Sequence, residues 1–148
     1  MNKIQEEKFR KECRSWLNPP TKWMHGVGLK GVRTDCINFI AEVSKEMCWL
    51  NKDYKIKAYP RDWALHKARH TMIDELGKYC FDVKLEDRKV GDIFLYRFGR
   101  SNCHAAFYLG DNKAIHSHIQ YGVVEFNLEE NEEMKKHFSK AIRWEGNK

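Results

Sequence analysis

The hydrophobic period changes once along this chain, near residue 80, and that change sets the fold class. Before it, apolar residues recur at helical spacing: Ile4, Phe9, Cys13, Trp16 and Leu17, then Cys36, Phe39, Ile40, Val43, Met47 and Leu50. After it, short runs follow the period of 2 expected of strands, beginning with Asp92–Phe98. Asn18-Pro19-Pro20 stops the first helix, residues 21–34 with Gly26, Gly28 and Gly31 read as a loop, and Asp35 is a good N-cap for the second helix. A third helix is expected from about Asp62 to Gly77. Further strands are expected over Cys103–Leu109, Ala114–His118, Tyr121–Asn127 and Lys140–Trp144, with a short acidic helix near Glu129–His137. Helices first and an antiparallel meander after is an α+β pattern, in which the helices cover one face of the sheet.

No linker or internal repeat interrupts the 148 residues, so residues 1–148 read as one domain. Aromatic residues make up 13% of the chain and prolines number 3, a composition that forms a core rather than a disordered tract. No stretch approaches the roughly 20 apolar residues of a membrane-crossing helix, so a membrane partner is not expected. The segment Met1–Lys8 has no apolar h-region, which leads to the expectation of synthesis in the cytoplasm without a signal peptide. The net charge of +6 attracts polyanions, but the basic residues are scattered, so a nucleic-acid partner is not expected.

The 5 cysteines are widely spaced and form no Cys-x-x-Cys pair, which fits reduced thiols rather than a zinc ribbon. Cys36 stands apart. It follows the cap Asp35 in the first turn of a helix, where free N–H groups and the helix dipole favour a thiolate. Cys13, Cys48 and Cys80 lie within apolar patterns and are expected to be packed. A nucleophilic cysteine needs a base, and the base needs a polar group to orient it. His66, His70 and His137 fall on helix surfaces. His104 opens a strand and is followed by two alanines, which leave room for a helix to approach. Pairing near Leu109 and Ala114 brings His116 beside it, giving a Cys36–His104–His116 constellation, with His118 as the alternative third member.

At these residues the sequence resembles the NlpC/P60 cysteine peptidases. Gly28-Leu29-Lys30-Gly31-Val32-Arg33-Thr34-Asp35-Cys36 is similar to their nucleophile motif, in which Asp-Cys opens a helix after a Gly-rich loop. Val90-Gly91-Asp92-Ile93 resembles their Pro-Gly-Asp-Leu strand. His104-Ala105-Ala106-Phe107-Tyr108-Leu109-Gly110 and Ala114-Ile115-His116-Ser117 resemble the two strands that carry the histidines. The opening Trp23-Met24-His25-Gly26 and the segment Tyr59-Pro60-Arg61-Asp62-Trp63 look most like the phage and gene-transfer-agent branch of cell-wall peptidases.

The resemblance implies a papain-like α+β fold and hydrolysis of an amide in peptidoglycan stem peptides. Cys36 would be the nucleophile, His104 the base and acid, and His116 the orienting group, with no metal and no cofactor. Asp35, Trp23 and His25 would contact the substrate. Ile37-Asn38 replaces the family's usual Ser-Gly, and Trp23 stands nearest its usual tyrosine; an indole cannot accept a hydrogen bond as a phenol can. The resemblance also implies phage tail proteins as partners and delivery to the cell wall with a virion. Two other readings use the same residues: a zinc site drawn from Cys36, Cys103, His104, His116 and His118, and a non-catalytic tail- or wall-binding domain on the same fold.

Overall fold

The computed structural model of the chain describes residues 1–57, 76–99 and 101–148. The helix expected from Asp62 lies outside them but for Leu76 and Gly77. Helix α1, Lys3–Arg14, opens on a capping box: the Asn2 side chain accepts the Gln5 N–H and the Gln5 side chain accepts the Asn2 N–H, both at 2.9 Å. Its buried face is Phe9 and Cys13.

The segment expected to be a loop holds a small sheet: β1 (Lys22–Trp23), β2 (Gly28–Leu29) and β3 (Arg33–Thr34), in the order β1-β3-β2. Strands of two residues are too short to show a period, so the sequence pattern could not reveal them. Helix α2, Cys36–Glu46, starts where Asp35 accepts the Asn38 N–H at 2.8 Å. It stops at Glu46 rather than running to Leu50. The Trp49 N–H returns to the Ser44 carbonyl and the Cys48 N–H to that of Lys45, with Cys48 at a φ of 60°. This is a Schellman turn with cysteine where glycine is usual. It turns Cys48 out to solvent, contrary to the packed position its apolar neighbours suggested.

Among the described residues the main sheet has six antiparallel strands: β4 (Cys80–Val83), β5 (Ile93–Phe98), β6 (Ser101–Gly110), β7 (Lys113–His118), β8 (Gly122–Asn127) and β9 (Phe138–Trp144). Their spatial order is β4-β9-β5-β6-β7-β8. Helix α3, Glu132–His137, leads into β9. The turn from β6 to β7 has positive φ at both Asp111 and Asn112, the conformation of a two-residue type I′ hairpin. Tyr108, not Leu109, pairs with Ala114.

Residues alternate between two cores. Ile93, Leu95, Ala105, Phe107, Leu109, Ile115 and Ile142 pack under α1 and α2, with Phe9, Trp16 and Phe39. Phe94, Tyr96, Ala106, Tyr108, Ala114 and Phe126 face the other way and are covered by Met134 of α3. The sheet is therefore covered on both faces, not one. Asp92 pins its centre. Its carboxylate accepts the Lys89 N–H at 2.7 Å and two bonds from Arg143 on β9, at 2.6 and 2.9 Å. Among the described residues no helix is long and apolar enough to cross a membrane.

Candidate active site

Cys36 is the first residue of α2, where the first N–H groups of a helix have no intrahelical partner. The helix lies on β6 and β7. Its thiol sits against the backbone on either side of His104: Sγ is 3.9 Å from the Cys103 carbonyl oxygen, and the Ala105 N–H points to the sulfur. The two alanines after His104 permit this approach, as their small side chains suggested. Burial and the adjoining Asp35 carboxylate push the thiol well above its ordinary pKa, against the smaller lowering from the Ala105 N–H. This corrects the expectation of a resting thiolate. The helix N-terminus still favours the anion, but Cys36 is 7% exposed with a carboxylate as its neighbour, and these two effects outweigh it.

A β-bulge positions His104. Tyr96 pairs with His104 but Arg97 pairs with Asn102, so Cys103 is an extra residue on β6. His104 Nε2 lies 2.6 Å from His116 Nδ1 on β7, with the rings nearly perpendicular. That contact leaves Nδ1 as the ring nitrogen of His104 available for a thiol proton. His116 is 2% exposed and packs on Phe126. Burial lowers both histidines, His104 to about 4 and His116 to about 2, with the facing imidazoles adding to the effect. Both rings are therefore neutral at pH 7. His118 does not replace His116 in this contact. It stacks on Tyr121, and its Nδ1 accepts the Gln120 N–H at 3.0 Å.

Cys36 and His104 open on one cleft of about 350 Å³, which Trp23, His25, Asp35, Cys103, Ser117, His118 and Ile119 also line. The structure thus brings all six expected site residues to one place: five line the cleft and His116 stands behind His104. Asp35 is both cap and wall. One of its oxygens accepts from the Asn38 backbone and side chain, and the other accepts the Gly26 N–H at 2.7 Å. The residue after Cys36 in the family's pattern is replaced by Ile37, which is buried in the core below the cleft. Among the described residues no three His, Cys, Asp or Glu side chains converge as ligands. The set named for zinc is spent otherwise: His104 on His116, and the Cys103 thiol on the Phe98 carbonyl at 3.4 Å.

Sequence reasoning missed Phe98, Ser117, Glu133 and Met134. Ser117 ties β7 to the small sheet by donating to the Thr34 carbonyl at 2.7 Å. Phe98, the last residue of β5, stacks on His137 at 4.2 Å between ring centres. His137 is thus packed rather than fully solvated. Glu133 and Met134 reach the cleft from α3. Of these only Ser117 had a local signal, as the neighbour of His116.

A cysteine at the head of a helix set on an antiparallel sheet, beside a strand that carries the histidine, defines a papain-like α+β domain. The model of the NlpC/P60 family matches residues 21–143, and the chain belongs to that family. Solved structures share the fold. A lipoprotein-like NLP/P60 family protein from Staphylococcus aureus superposes with a TM-score of 0.65 at 14% identity, over 97% of this chain and 42% of that one. The NlpC/p60 domain of the peptidoglycan hydrolase SagA gives 0.58 at 14% identity, over 93% and 97%. NlpC2 from Trichomonas vaginalis gives 0.64 at 14% identity, over 95% and 46%. The chain thus spans less than half of the Staphylococcus and Trichomonas proteins and nearly all of the SagA domain. No protein of curated function matches the sequence.

Proposed function

We propose that this chain is a cysteine peptidase that cuts an amide bond in peptidoglycan stem peptides, with Cys36 as nucleophile, His104 as base and acid, and His116 as the orienting group. The observation that carries the reading is the placement of Cys36 at the α2 N-terminus, in one cleft with a neutral His104 whose far nitrogen is held by a buried His116. His104 must carry its proton on Nε2, donated to His116 Nδ1, so that Nδ1 can accept. As the sulfur attacks the carbonyl carbon, its proton passes to His104 Nδ1. The oxyanion is placed to accept from the Cys36 N–H at the head of α2. Collapse breaks the C–N bond, and His104 returns the proton to the leaving amine. Water then attacks the thioester with His104 as base, the C–S bond breaks, and His104 returns the proton to the Cys36 sulfur. Asp35, Trp23 and His25 supply the wall against which the acyl part of the substrate lies.

The peptidoglycan substrate is supported by membership of the family and by the likeness to the SagA domain. The positive charge suits an anionic wall polymer. Association with a phage or prophage tail, with synthesis in the cytoplasm and delivery to the wall in a virion, rests on the resemblance of Trp23-Met24-His25-Gly26 and Tyr59-Pro60-Arg61-Asp62-Trp63 to that branch. The test is digestion of purified muropeptides, with products identified by mass. The expected result is gain of one water at a stem amide by the wild type and none by Cys36→Ala. Intact muropeptides with the folded wild type would overturn the reading.

A further inference from the structure

We infer that a cavity under α3, separate from the active-site cleft, binds a small aromatic carboxylate. The cavity measures about 300 Å³, at the lower end of the range for small-molecule sites. It lies on the face of the sheet away from α2, where Phe94 and Tyr96 of β5 meet Met134 of α3 and Phe138 of β9. Among the described residues Met134 alone is shared with the cleft. The aromatic rings hold one another. Phe94 stacks on Tyr108 at 5.3 Å between ring centres, and Phe138 packs edge-on against Phe94 and Tyr96, at 5.5 and 5.9 Å. The wall is therefore set before a ligand enters, which lowers the ordering cost of binding.

Two polar groups of this wall lack a partner among the described residues, and both can donate. Tyr96 is 1% exposed, yet its hydroxyl meets no hydrogen-bond partner. A buried phenol ordinarily has one. Burial alone pushes this phenol above its ordinary pKa, so it remains an O–H donor. The second group is Arg88. Its terminal nitrogens are spent on neutral acceptors, the Leu85 carbonyl at 3.0 Å and the Asn112 side chain at 3.3 Å, and its Nε is buried with no acceptor. Among the described residues no carboxylate pairs with its charge, whereas Arg10, Arg14 and Arg143 each have one.

The guanidinium of Arg88 lies over the Tyr108 ring, 5.5 Å from its centre, and so borders the same aromatic frame. The carboxylate of the lining, Glu129, pairs with Lys135 at 3.4 Å. The cavity thus offers one cation and one phenolic donor beside apolar rings. Its complement is a flat apolar ring bearing an anionic acceptor. A carboxylate fits, because its two oxygens can accept from both donors at once. The site is independent of the proposed peptidase chemistry.

The probe is 2-naphthoate, with 2-naphthamide as its neutral counterpart. Binding to the full chain is measured by titration calorimetry. The place of binding is read from the Met134 methyl signal in methionine-labelled protein, assigned with Met134→Leu. Naphthoate should bind with a Kd of about 0.1 mM, ordinary for a ligand of its size, and should shift that signal by its ring current. Naphthamide should bind about tenfold more weakly, and salt should narrow the difference. Arg88→Met should abolish the difference. Tyr96→Phe should weaken naphthoate about tenfold, the effect of one hydrogen bond to a charged group. Because the hydroxyl has no partner to lose, Tyr96→Phe should melt no lower than the wild type. Arg88 is only half-buried and supplies a second variant outside the core. Naphthoate that does not bind at millimolar concentration would mean a cavity filled by water alone, and overturns the inference. Equal binding of the two probes overturns it too, as does undiminished binding of naphthoate by Tyr96→Phe or Arg88→Met.

Discussion

At Cys36 the helix N-terminus favours the anion while burial and Asp35 oppose it, and the neutral thiol prevails. Burial keeps His104 neutral too, and the neighbouring His118 adds to the effect. In the proposed reaction the pair is then thiol and imidazole, and the proton must move as the sulfur attacks. This differs from a resting thiolate–imidazolium pair in its pH dependence. A neutral pair needs His104 unprotonated, so kcat/KM should rise with pH through the lowered pKa of about 4. Because the thiol is pushed up, the rate should then stay level beyond about pH 9. A resting ion pair would give a bell whose alkaline limb marks loss of the imidazolium proton. The measurement is kcat/KM on a stem peptide from pH 4 to 10, and an alkaline limb near neutrality would refute the neutral pair. Labelling separates the thiols too. Cys48 is exposed and Cys36 is 7% exposed. Limiting iodoacetamide should therefore reach Cys48 first, with little loss of activity, and slower labelling of Cys36 should track inactivation. Peptide mapping by mass at timed intervals reads the order, and Cys48→Ser should remove the fast phase.

Among the elements, the two helices and the strand run were legible because each repeats its period several times. Asp35 was legible because cap chemistry is local. What was hidden depends on long-range pairing. The bulge at Cys103 exists only relative to β5, and the small sheet only because β3 lies between β1 and β2. The Val90-Gly91-Asp92 motif shows the difference between likeness and reason. Its aspartate is wholly buried and takes both prongs of Arg143, 51 residues on, locking β5 to β9. Asp92→Asn would leave the Arg143 charge buried without its partner, at a cost of about 3–5 kcal/mol. Lys140, on the same β9 strand, pairs with Asp82 of β4, but in the open. Lys140→Ala should therefore cost under about 1 kcal/mol. Urea midpoints at pH 7 for the two variants test the contrast, and equal shifts would remove the structural role given to Asp92.

For the whole molecule, the candidate site and the fold share one pair of groups, so the proposed catalysis and acid stability are coupled through His104 and His116. Sequence spacing placed these two histidines on neighbouring strands, but their burial follows from α2 and α3 covering both faces of the sheet, which no local pattern could show. His116 is 2% exposed, and its pKa falls from 6.5 to about 2. The folded chain therefore refuses a proton that the unfolded chain accepts below about pH 6.5. Because the unfolded state binds more protons in that window, stability rises with pH between the two values. It is complete above about pH 6.5 and is lost progressively as pH falls toward 2. From pH 7 to 5 the loss through His116 is about 2 kcal/mol, from 1.36 kcal/mol for each unit below 6.5. His104 adds a loss of the same sign and about the same size over this window, because its lowered value of about 4 also lies below pH 5. Urea unfolding at pH 7 and pH 5 measures the total. The same pair of measurements on His116→Gln, which keeps a polar side chain but cannot titrate, should give a pH dependence flatter by about 2 kcal/mol. A variant as acid-sensitive as the wild type would show that His116 takes up its proton inside the fold, and would remove the neutral dyad on which the proposed proton path depends.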